Sequence, residues 1–541
     1  MKIKQVFSSL FLLSLLFGAM LTLVFCTQVD ESKNADGDIQ QPSDTVSTDS
    51  GRERLSRREK LLTFTFSKSN NDLENNLVAV IDDVSRVAKI ETQRWIGHLD
   101  SLVASYATTG DSVIVAVGNV VQQSGVTPND FRKNNVVYRL TVGDSVVDYT
   151  VVFVSPQFTG LPVMKVDIAG GKEITQKTDE YLSADVQLID NNNPDNSFQK
   201  KSGIRGRGNL SWVYEKKPYR LKFDSKVSMF GLGAEKSWVL LANWQDPTIL
   251  SNDIAFELAR RFGLEYTNHS HYVELFLNGT YRGNYQLTEQ VQVGKNRINI
   301  DEDNGFLVEI DTYYDEEPKF QTRRIKLPVM VKSPEDVSTE FVRTDLQVLE
   351  DALFGESNFP NNSYRDLVDV ESLINFLIVN ELVRNQELNH PKSVYAYKKD
   401  NAPESKIHFG PVWDFDWGFG YAEYGHAYFS KSGILFRKGG YNGEQIGSRF
   451  FNRFFDDPAF CRQYKQRWNE LMNSEIPAII PHIDNMAEKL QKSQYQNYKR
   501  WPTYEENKCN FTSEVAKLKS WMQQRIDYLN KEISKFDTLQ E

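Results

Sequence analysis

The stretch GPVWDFDWGFG, residues 410–420, places two acids among four aromatic side chains. Asp414 and Asp416 stand two positions apart, and a carboxylate in apolar surroundings is costly unless it is paired, hydrogen-bonded or bound to a cation. Carboxylate oxygens suit hard divalent cations, so the stretch predicts a Mg²⁺ or Mn²⁺ site that also receives a phosphate. A salt-bridged pair at the edge of a sheet is the alternative interpretation.

A strand with one basic face is predicted earlier in the chain, over Tyr219–Phe223. Because the side chains of a strand alternate between its two faces, Arg220 and Lys222 share one face and the intervening apolar residues share the other. Gly206 and Gly208 precede this strand. Glycine lets a backbone approach a ligand closely, and basic side chains bind anionic oxygens. The segment favours an anion-binding surface, with a plain solvent-exposed basic face as the alternative.

Length and composition limit the class of protein. The chain has 541 residues, enough for two to four domains, and its 40% hydrophobic and 25% charged residues are typical of globular proteins. Acidic residues outnumber basic ones by 73 to 63, so a general nucleic-acid binder is not expected. Three cysteines are too few for a disulfide-dense scaffold or a four-cysteine zinc site. Cys461 and Cys509 form either one disulfide or two free thiols.

The first 26 residues resemble a bacterial lipoprotein signal peptide. Lys2 and Lys4 give a positive start, an apolar run extends from Val6 to Phe25, and Cys26 ends it as the predicted lipidation site. The protein is therefore expected to be exported and anchored through its N-terminal lipid in the membrane of the bacterial cell envelope, at the outer membrane or the cell surface. An uncleaved membrane anchor and ordinary secretion are the alternatives.

Two segments separate this signal from the rest of the chain. Residues 27–60 are polar and contain almost no large apolar side chains, which predicts a disordered linker. Residues 61–155 contain short alternating strands, such as Leu62–Phe66 and Val113–Val117, without a long helical period. They resemble the Ig-like β-sandwich modules common on bacterial surface lipoproteins. A spacer or weak adhesion module is expected here.

The remaining chain carries an ordered set of motifs at Gly206–Trp212, Lys217–Lys222, Asn278–Glu289, Gly410–Asp416, Arg467–Trp468 and Arg525–Leu529. Together they resemble the spore-coat protein H (CotH) kinase family over about residues 163–529. The resemblance implies an atypical protein-kinase-like α+β domain at residues 163–535, with a helical C-terminal part at residues 446–535. The predicted fold class is multidomain α+β, with the Ig-like β-sandwich preceding this domain.

The resemblance also implies a reaction and the residues that carry it. The family is described as transferring phosphate from ATP to Ser or Thr of a protein with a divalent metal, Mg²⁺ or Mn²⁺. Asp414 and Asp416 would bind the metal. Glu387, which stands where the family usually has Asp, would act with Asp414 in catalysis. The implied nucleotide-binding residues are Arg207, Lys217, Arg220, Lys222 and Glu289. The acceptor protein is not identified by the sequence.

Two functions remain open at this point. The motif set favours an exported phosphotransferase. The Ig-like module, the lipid tether, Glu387, and Ser251 where the family often has Arg, favour a kinase-like surface binding or scaffold lipoprotein that has lost turnover. A hydrolase is not expected, because the sequence contains neither a Gly-x-Ser-x-Gly elbow nor a zinc-protease motif.

Overall fold

The computed structural model of the protein describes residues 60–110, 112–334, 339–355, 358–420, 430–440, 444–502 and 510–536. The signal peptide with Cys26, residues 27–59 of the linker, and Cys509 lie outside these residues, so what the sequence predicts for them stays a prediction. The thiol of Cys461 is buried and donates to the carbonyl oxygen of Phe455, 3.1 Å away. Within the described residues, no helix is both long and apolar enough to span a membrane.

The N-terminal region is rich in β-strands and has its own core. Its elements are β1 (Leu61–Phe66), α1 (Lys68–Asn71), β2 (Leu77–Val78), β3 (Val80–Asp82), β4 (Val87–Glu91), β5 (Leu102–Val103), β6 (Ser105–Thr108), β7 (Ile114–Val117), β8 (Val120–Val121), β9 (Pro128–Asn129), β10 (Val136–Val142) and β11 (Ser145–Val154). One sheet has the order β2-β1-β6, another has the order β3-β4-β11-β10-β7-β8, and β5 pairs with β9. Phe64 and Phe66 of β1 pack against Tyr138 and Phe153 of the second sheet, so the two larger sheets share one core. This arrangement is compatible with an Ig-like sandwich.

A closed β-barrel follows. Its strands are β12 (Val163–Ile168), β13 (Leu182–Ile189), β14 (Phe198–Gly206), β15 (Tyr219–Val227), β16 (Glu235–Leu241), β17 (His271–Leu277) and β18 (Thr280–Glu289). They close in the order β12-β13-β14-β15-β16-β18-β17, with β12 and β17 parallel. Leu221 and Phe223 of β15 are buried in the barrel core, and Arg220 and Lys222 line a cleft outside it, as their alternation predicts.

A second sheet and a set of helices complete the mixed α+β architecture. The strands are β19 (Phe306–Ile310), β20 (Lys319–Gln321), β21 (Pro328–Ser333), β22 (Val394–Lys398) and β23 (Ile407–Phe409), in the antiparallel order β20-β21-β19-β22-β23. The helices are α2 (Ser251–Arg261), α3 (Glu340–Phe354), α4 (Tyr364–Leu367), α5 (Val370–Leu382), α6 (Ile446–Arg453), α7 (Pro458–Asn473), α8 (Ile479–Arg500) and α9 (Phe511–Ile533). The helical C-terminal region is confirmed by α6 to α9.

Helix α5 is the central helix, and its sequence explains both its start and its burial. The Asp369 side chain accepts a hydrogen bond from the backbone N–H of Ser372 and so caps the helix. Every residue from Leu373 to Leu382 is buried, which is the pattern of a helix enclosed on all sides. The chain leaves α5 directly into the segment that carries Glu387.

The β-rich region contacts the barrel and α8. The Trp95 ring meets Phe276 of β17 edge-on with 5.4 Å between ring centroids, and the Lys165 ammonium lies 4.7 Å from the centre of the same tryptophan ring. Glu91 pairs with Lys499 of α8 at 3.0 Å. Aromatic and charged contacts therefore join this region to the domain that contains the cleft.

Candidate active site

A cleft of about 1250 Å³ lies between the outer face of the barrel and the second sheet. The barrel contributes basic side chains from β14, β15 and the loop between them. The opposite side contributes acids from the second sheet and from the loops that follow α5 and β23. The charged residues central to the cleft are Arg205, Arg207, Arg220, Lys222, Glu309, Asp311, Glu387, Lys392, Asp414 and Asp416. The structure thus brings both aspartates of residues 410–420 to the same cleft as the basic strand.

The loop that carries these two aspartates is held by side-chain amides. Asp414 has φ +62°, in the left-handed region that non-glycine residues seldom occupy. The Asn252 side chain accepts from the backbone N–H of Phe415 at 3.2 Å and also bonds with Asp416. Asn385 donates from Nδ2 to the carbonyl oxygen of Asp414, 3.3 Å away. These bonds fix the backbone so that both carboxylates enter the cleft.

Glu387, Asp414 and Asp416 have raised pKa values, as do Glu309 and Asp311 in the same cleft. Burial is the main cause for each, and repulsion from neighbouring acids adds to it for Glu387 and Asp416. The pKa of Asp416 rises to about 7 and that of Glu387 to about 9, while that of Asp414 is raised against the opposing effect of Arg207. Lys392 lowers the pKa of Glu387 but only in part. The cleft therefore has an excess of buried negative charge that a cation would relieve.

Glu387 lies on a short 3₁₀ turn, Gln386–Asn389, directly after α5. Asn385 caps this turn by accepting from the backbone N–H of Glu387 at 3.1 Å. The Glu387 side chain is buried, and its Oε2 has no hydrogen-bond partner among the described residues. A buried carboxyl oxygen without a partner is unfavourable, and here it is available to a hydroxyl group or a cation.

The basic side of the cleft is built from two adjacent strands. Arg205 and Arg220 face each other across β14 and β15. The Arg207 guanidinium lies 5.4 Å from the centre of the Trp413 ring, and burial lowers its pKa. Arg220 Nε is buried without a hydrogen-bond partner in the described part of the chain. These donors can bind several oxygens of an anion such as a polyphosphate.

Two residues implied by the resemblance are not among those that line the cleft. Lys217 donates from Nζ to the carbonyl oxygen of Trp212, 2.7 Å away, because the chain still turns before β15 begins. Glu289 bonds with the backbone N–H and Nδ1 of His269, at 2.7 and 2.8 Å. Residue 206 must be glycine for a packing reason, since a Cβ atom there would lie 2.4 Å from the Trp212 ring. This glycine makes room for Trp212.

Sequence reasoning missed several basic side chains that line the cleft, among them Arg205, Lys332 and Lys392. The Lys392 ammonium lies between Tyr313 and Trp417, 4.7 and 4.9 Å from their ring centres. Lys332 of β21 forms ion pairs with Glu309 of β19 and with Glu316, and these acids raise its pKa. The sequence offered one signal for these basic residues, the placement of Glu309 and Asp311 on the same face of a strand. Two acids on one face indicate that a cation lies nearby.

The residues present fit a divalent cation that shares its ligands with a phosphate. Among the described residues, no group of three or more His, Cys, Asp or Glu side chains is arranged to hold a metal by itself. Mg²⁺, however, commonly binds one or two carboxylates and takes its other ligands from phosphate and water. Asp414 and Asp416, with the unpartnered oxygen of Glu387 in the same cleft, provide that donor set.

Comparison with known proteins gives one family. The model of the family described as CotH kinase protein matches residues 204–529, which is more than half of the chain. No curated protein sequence matches. One solved structure, described as the crystal structure of the golgi casein kinase, is 9% identical with a TM-score of 0.20 and covers 68% of this chain and 72% of its own.

Proposed function

This chain belongs to the CotH kinase protein family, and we propose that its cleft transfers the terminal phosphoryl group of ATP to Ser or Thr hydroxyls of a protein. The observation that carries the proposal is the opposition of Glu387, Asp414 and Asp416 to a basic strand face across one cleft. Phosphoryl transfer depends on positioning and on neutralising charge, and this arrangement offers groups for both.

The basic residues would bind the nucleotide through its phosphates. Arg207 and Arg220 present guanidinium groups that are partly stripped of water, which strengthens their bonds to anionic oxygens. Lys222 adds a charge nearer the solvent on the same face of β15. Asp414 and Asp416 would hold Mg²⁺ or Mn²⁺, which supplies neutralisation of the phosphate charge when bound.

Glu387 would accept the proton of the acceptor hydroxyl. In the transfer, an oxygen–phosphorus bond forms to the acceptor, the bond between the terminal phosphorus and the ADP oxygen breaks, and the hydroxyl proton moves to a Glu387 carboxylate oxygen. The carboxyl must be ionised for this role. Burial and the charge of Asp414 raise its pKa to about 9 and Lys392 lowers it only in part, so a cation that neutralised Asp414 and Asp416 would be needed to favour the ionised form. The Oε2 atom of Glu387, which has no hydrogen-bond partner among the described residues, would take this proton.

A thermal-shift experiment tests binding first. ATP with Mg²⁺ is expected to raise the melting temperature of the wild-type protein and not that of the Asp414→Ala variant. The exposed acid Asp167 supplies the control, since Asp167→Ala should keep the full shift. Equal curves for wild type with and without nucleotide would refute ATP binding.

Turnover is tested by labelled ATP and an extract of the cell envelope. Wild type should label an acceptor protein and Glu387→Gln should not. The second candidate function is a binding or scaffold protein without turnover, and it is favoured by the raised pKa of Glu387, which disfavours a base. Activity that appears only in the Glu387→Asp variant would establish that second function.

We also propose that the protein is an exported lipoprotein anchored at Cys26, with the β-rich region as an Ig-like module between membrane and catalytic domain. The support is the sequence of residues 1–26 and the two packed sheets of residues 61–154. Metabolic labelling with a fatty acid should mark wild type but not Cys26→Ser. Equal labelling of both would exclude lipidation at this residue.

A further inference from the structure

Arg525 of α9 and Glu381 of α5 form a fully buried ion pair. Their side chains are 0% and 1% exposed, and Nη2 lies 2.5 Å from Oε1. All five N–H donors of the guanidinium are used: two reach the Glu381 carbonyl oxygen, one reaches its carboxylate, and two reach the carbonyl oxygens of Lys431 and Gly433. A buried pair is tolerated only when such remaining bonds are satisfied, so the surrounding backbone is part of this pair.

The carboxylate of Glu381 holds the same part of the chain from the other side. It accepts from the backbone N–H of Leu435 at 2.9 Å and from that of Phe436 at 3.0 Å. We call residues 431–436 the anchored segment. Two of its carbonyl groups bond to Arg525 and two of its amides bond to Glu381, so neither end of the segment can shift without breaking a charge-assisted hydrogen bond.

The pair also lies at the base of the turn that carries Glu387. The Val383 carbonyl oxygen, two residues after Glu381, accepts from the backbone N–H of Phe419 at 2.5 Å. The loop with the two aspartates is thereby joined to the end of α5. Trp521 of α9 contacts the same Phe419, with 5.7 Å between ring centroids.

Helix α6, which follows the anchored segment in the chain, supports the turn from its other side. Ser448 Oγ donates to Asn389 Oδ1 at 2.8 Å. A Cβ atom on Gly447 would lie 1.8 Å from the Leu388 carbonyl oxygen, so the helix backbone touches the turn directly. Phe436 of the anchored segment packs edge-on against Phe451 of α6, with 6.1 Å between ring centroids. The anchored segment therefore contacts one support of Glu387, and the end of α5 provides the other.

We propose that the Arg525–Glu381 pair is a positioning device for Glu387 that acts from outside the cleft. Neither residue is among those that line the cleft, so they do not touch nucleotide or acceptor. The effect on catalysis rests on the proposed function. A shift of about 1 Å in a catalytic group can cost about 100-fold in rate, so small movements of the turn are sufficient.

The decisive variant is the double replacement R525M/E381L. It leaves no unpaired buried charge, so the protein is expected to fold, but it removes all bonds between the pair and the anchored segment and leaves those backbone groups without these partners. We expect kcat to fall by about tenfold or more, with KM for ATP within about twofold of wild type. Arg525→Lys keeps the charge but not the five-donor geometry, so its kcat should lie between those of wild type and the double variant.

A matched control is the ion pair between Lys398 of β22 and Asp345 of α3, which lies outside the cleft with Nζ and Oδ2 2.9 Å apart. K398M/D345L should leave kcat unchanged. A purely structural role for Arg525–Glu381 predicts the same result for R525M/E381L, with wild-type kcat per folded molecule. That outcome would overturn the proposal.

Hydrogen exchange separates this inference from the proposed function. In R525M/E381L the amides of residues 386–389 and of Leu435 and Phe436 should exchange faster than in wild type, whereas K398M/D345L should not change them. If wild type neither binds nor turns over ATP, the proposed function fails, and exchange alone decides whether the pair positions the turn. Unchanged protection at residues 386–389 refutes the device. If the double variant does not fold, Arg525→Lys is judged by the same measurement.

Discussion

Replacing Asp416 with Asn is expected to stabilise the empty protein and to abolish its response to Mg²⁺ and ATP. Burial, together with the charges of Asp414 and Asp246, raises the pKa of Asp416 from 3.8 to about 7. Because one pKa unit corresponds to about 1.4 kcal/mol, the ionised side chain costs the folded protein about 4 kcal/mol relative to the unfolded chain. The amide of Asn keeps the shape and removes the charge.

The sign follows from proton linkage. Between pH 3.8 and about 7 the folded protein retains a proton on Asp416 that the unfolded chain has lost, so the free energy of unfolding falls as the pH rises. Above that window the full cost is present. Asp416→Asn lacks this fall, so at pH 8 in EDTA it should be more stable than wild type by up to about 4 kcal/mol. The difference should vanish near pH 4.

Urea unfolding followed by circular dichroism, from pH 4 to pH 8 in EDTA, measures this difference, and the same series with Mg²⁺ and ATP measures the response to ligand. Asp167→Asn, a change at an exposed acid of β12, is the control and should follow wild type throughout. A lower stability of Asp416→Asn than of wild type at pH 8 in EDTA would refute the reasoning. A full ligand response in this variant would refute the site.

Three further changes test the surrounding structure. Lys216 is buried and its pKa falls to about 7, so above that pH the folded protein binds fewer protons than the unfolded chain. Lys216→Met should therefore raise the free energy of unfolding by up to about 5 kcal/mol at pH 6, and this gain should shrink towards pH 10. A gain that does not change with pH would contradict the argument. Gly206→Ala should lower the free energy of unfolding in urea by about 1–3 kcal/mol because its Cβ would meet a tryptophan ring. Gly97→Ala, where no atom of the described residues lies within 4 Å, should be neutral. Trp95→Ala should lower the free energy of unfolding by about 1–3 kcal/mol and speed the proteolytic release of the β-rich region. An unchanged cleavage rate would show that the Trp95 contact does not hold this region in place.

Local sequence pattern was sufficient to predict those parts of the structure that depend on residues close together in the chain. The alternation at Tyr219–Phe223 became β15 with its basic face on the cleft. Periodicity reports which side of an element is apolar, and burying that side is the dominant favourable term of folding. The two aspartates of residues 410–420 were identified for a similar reason, since acids among aromatic residues need a compensating partner.

Residues that are distant in the chain but adjacent in the fold could not be predicted from local sequence pattern. Whether Lys217 or Arg205 enters the cleft depends on the residue at which a strand starts, and boundaries are not specified by periodicity. Lys392 reaches the acids only because the turn after α5 folds back beside the loop at residues 410–420.

The sequence alone indicated the family and the residue types that the chemistry requires. Tertiary structure decided which charges meet. Arg525 and Glu381 stand 144 positions apart, and no spacing rule pairs them. They pair because α5 and α9 pack together and exclude water, and a buried charge is stable only beside its opposite.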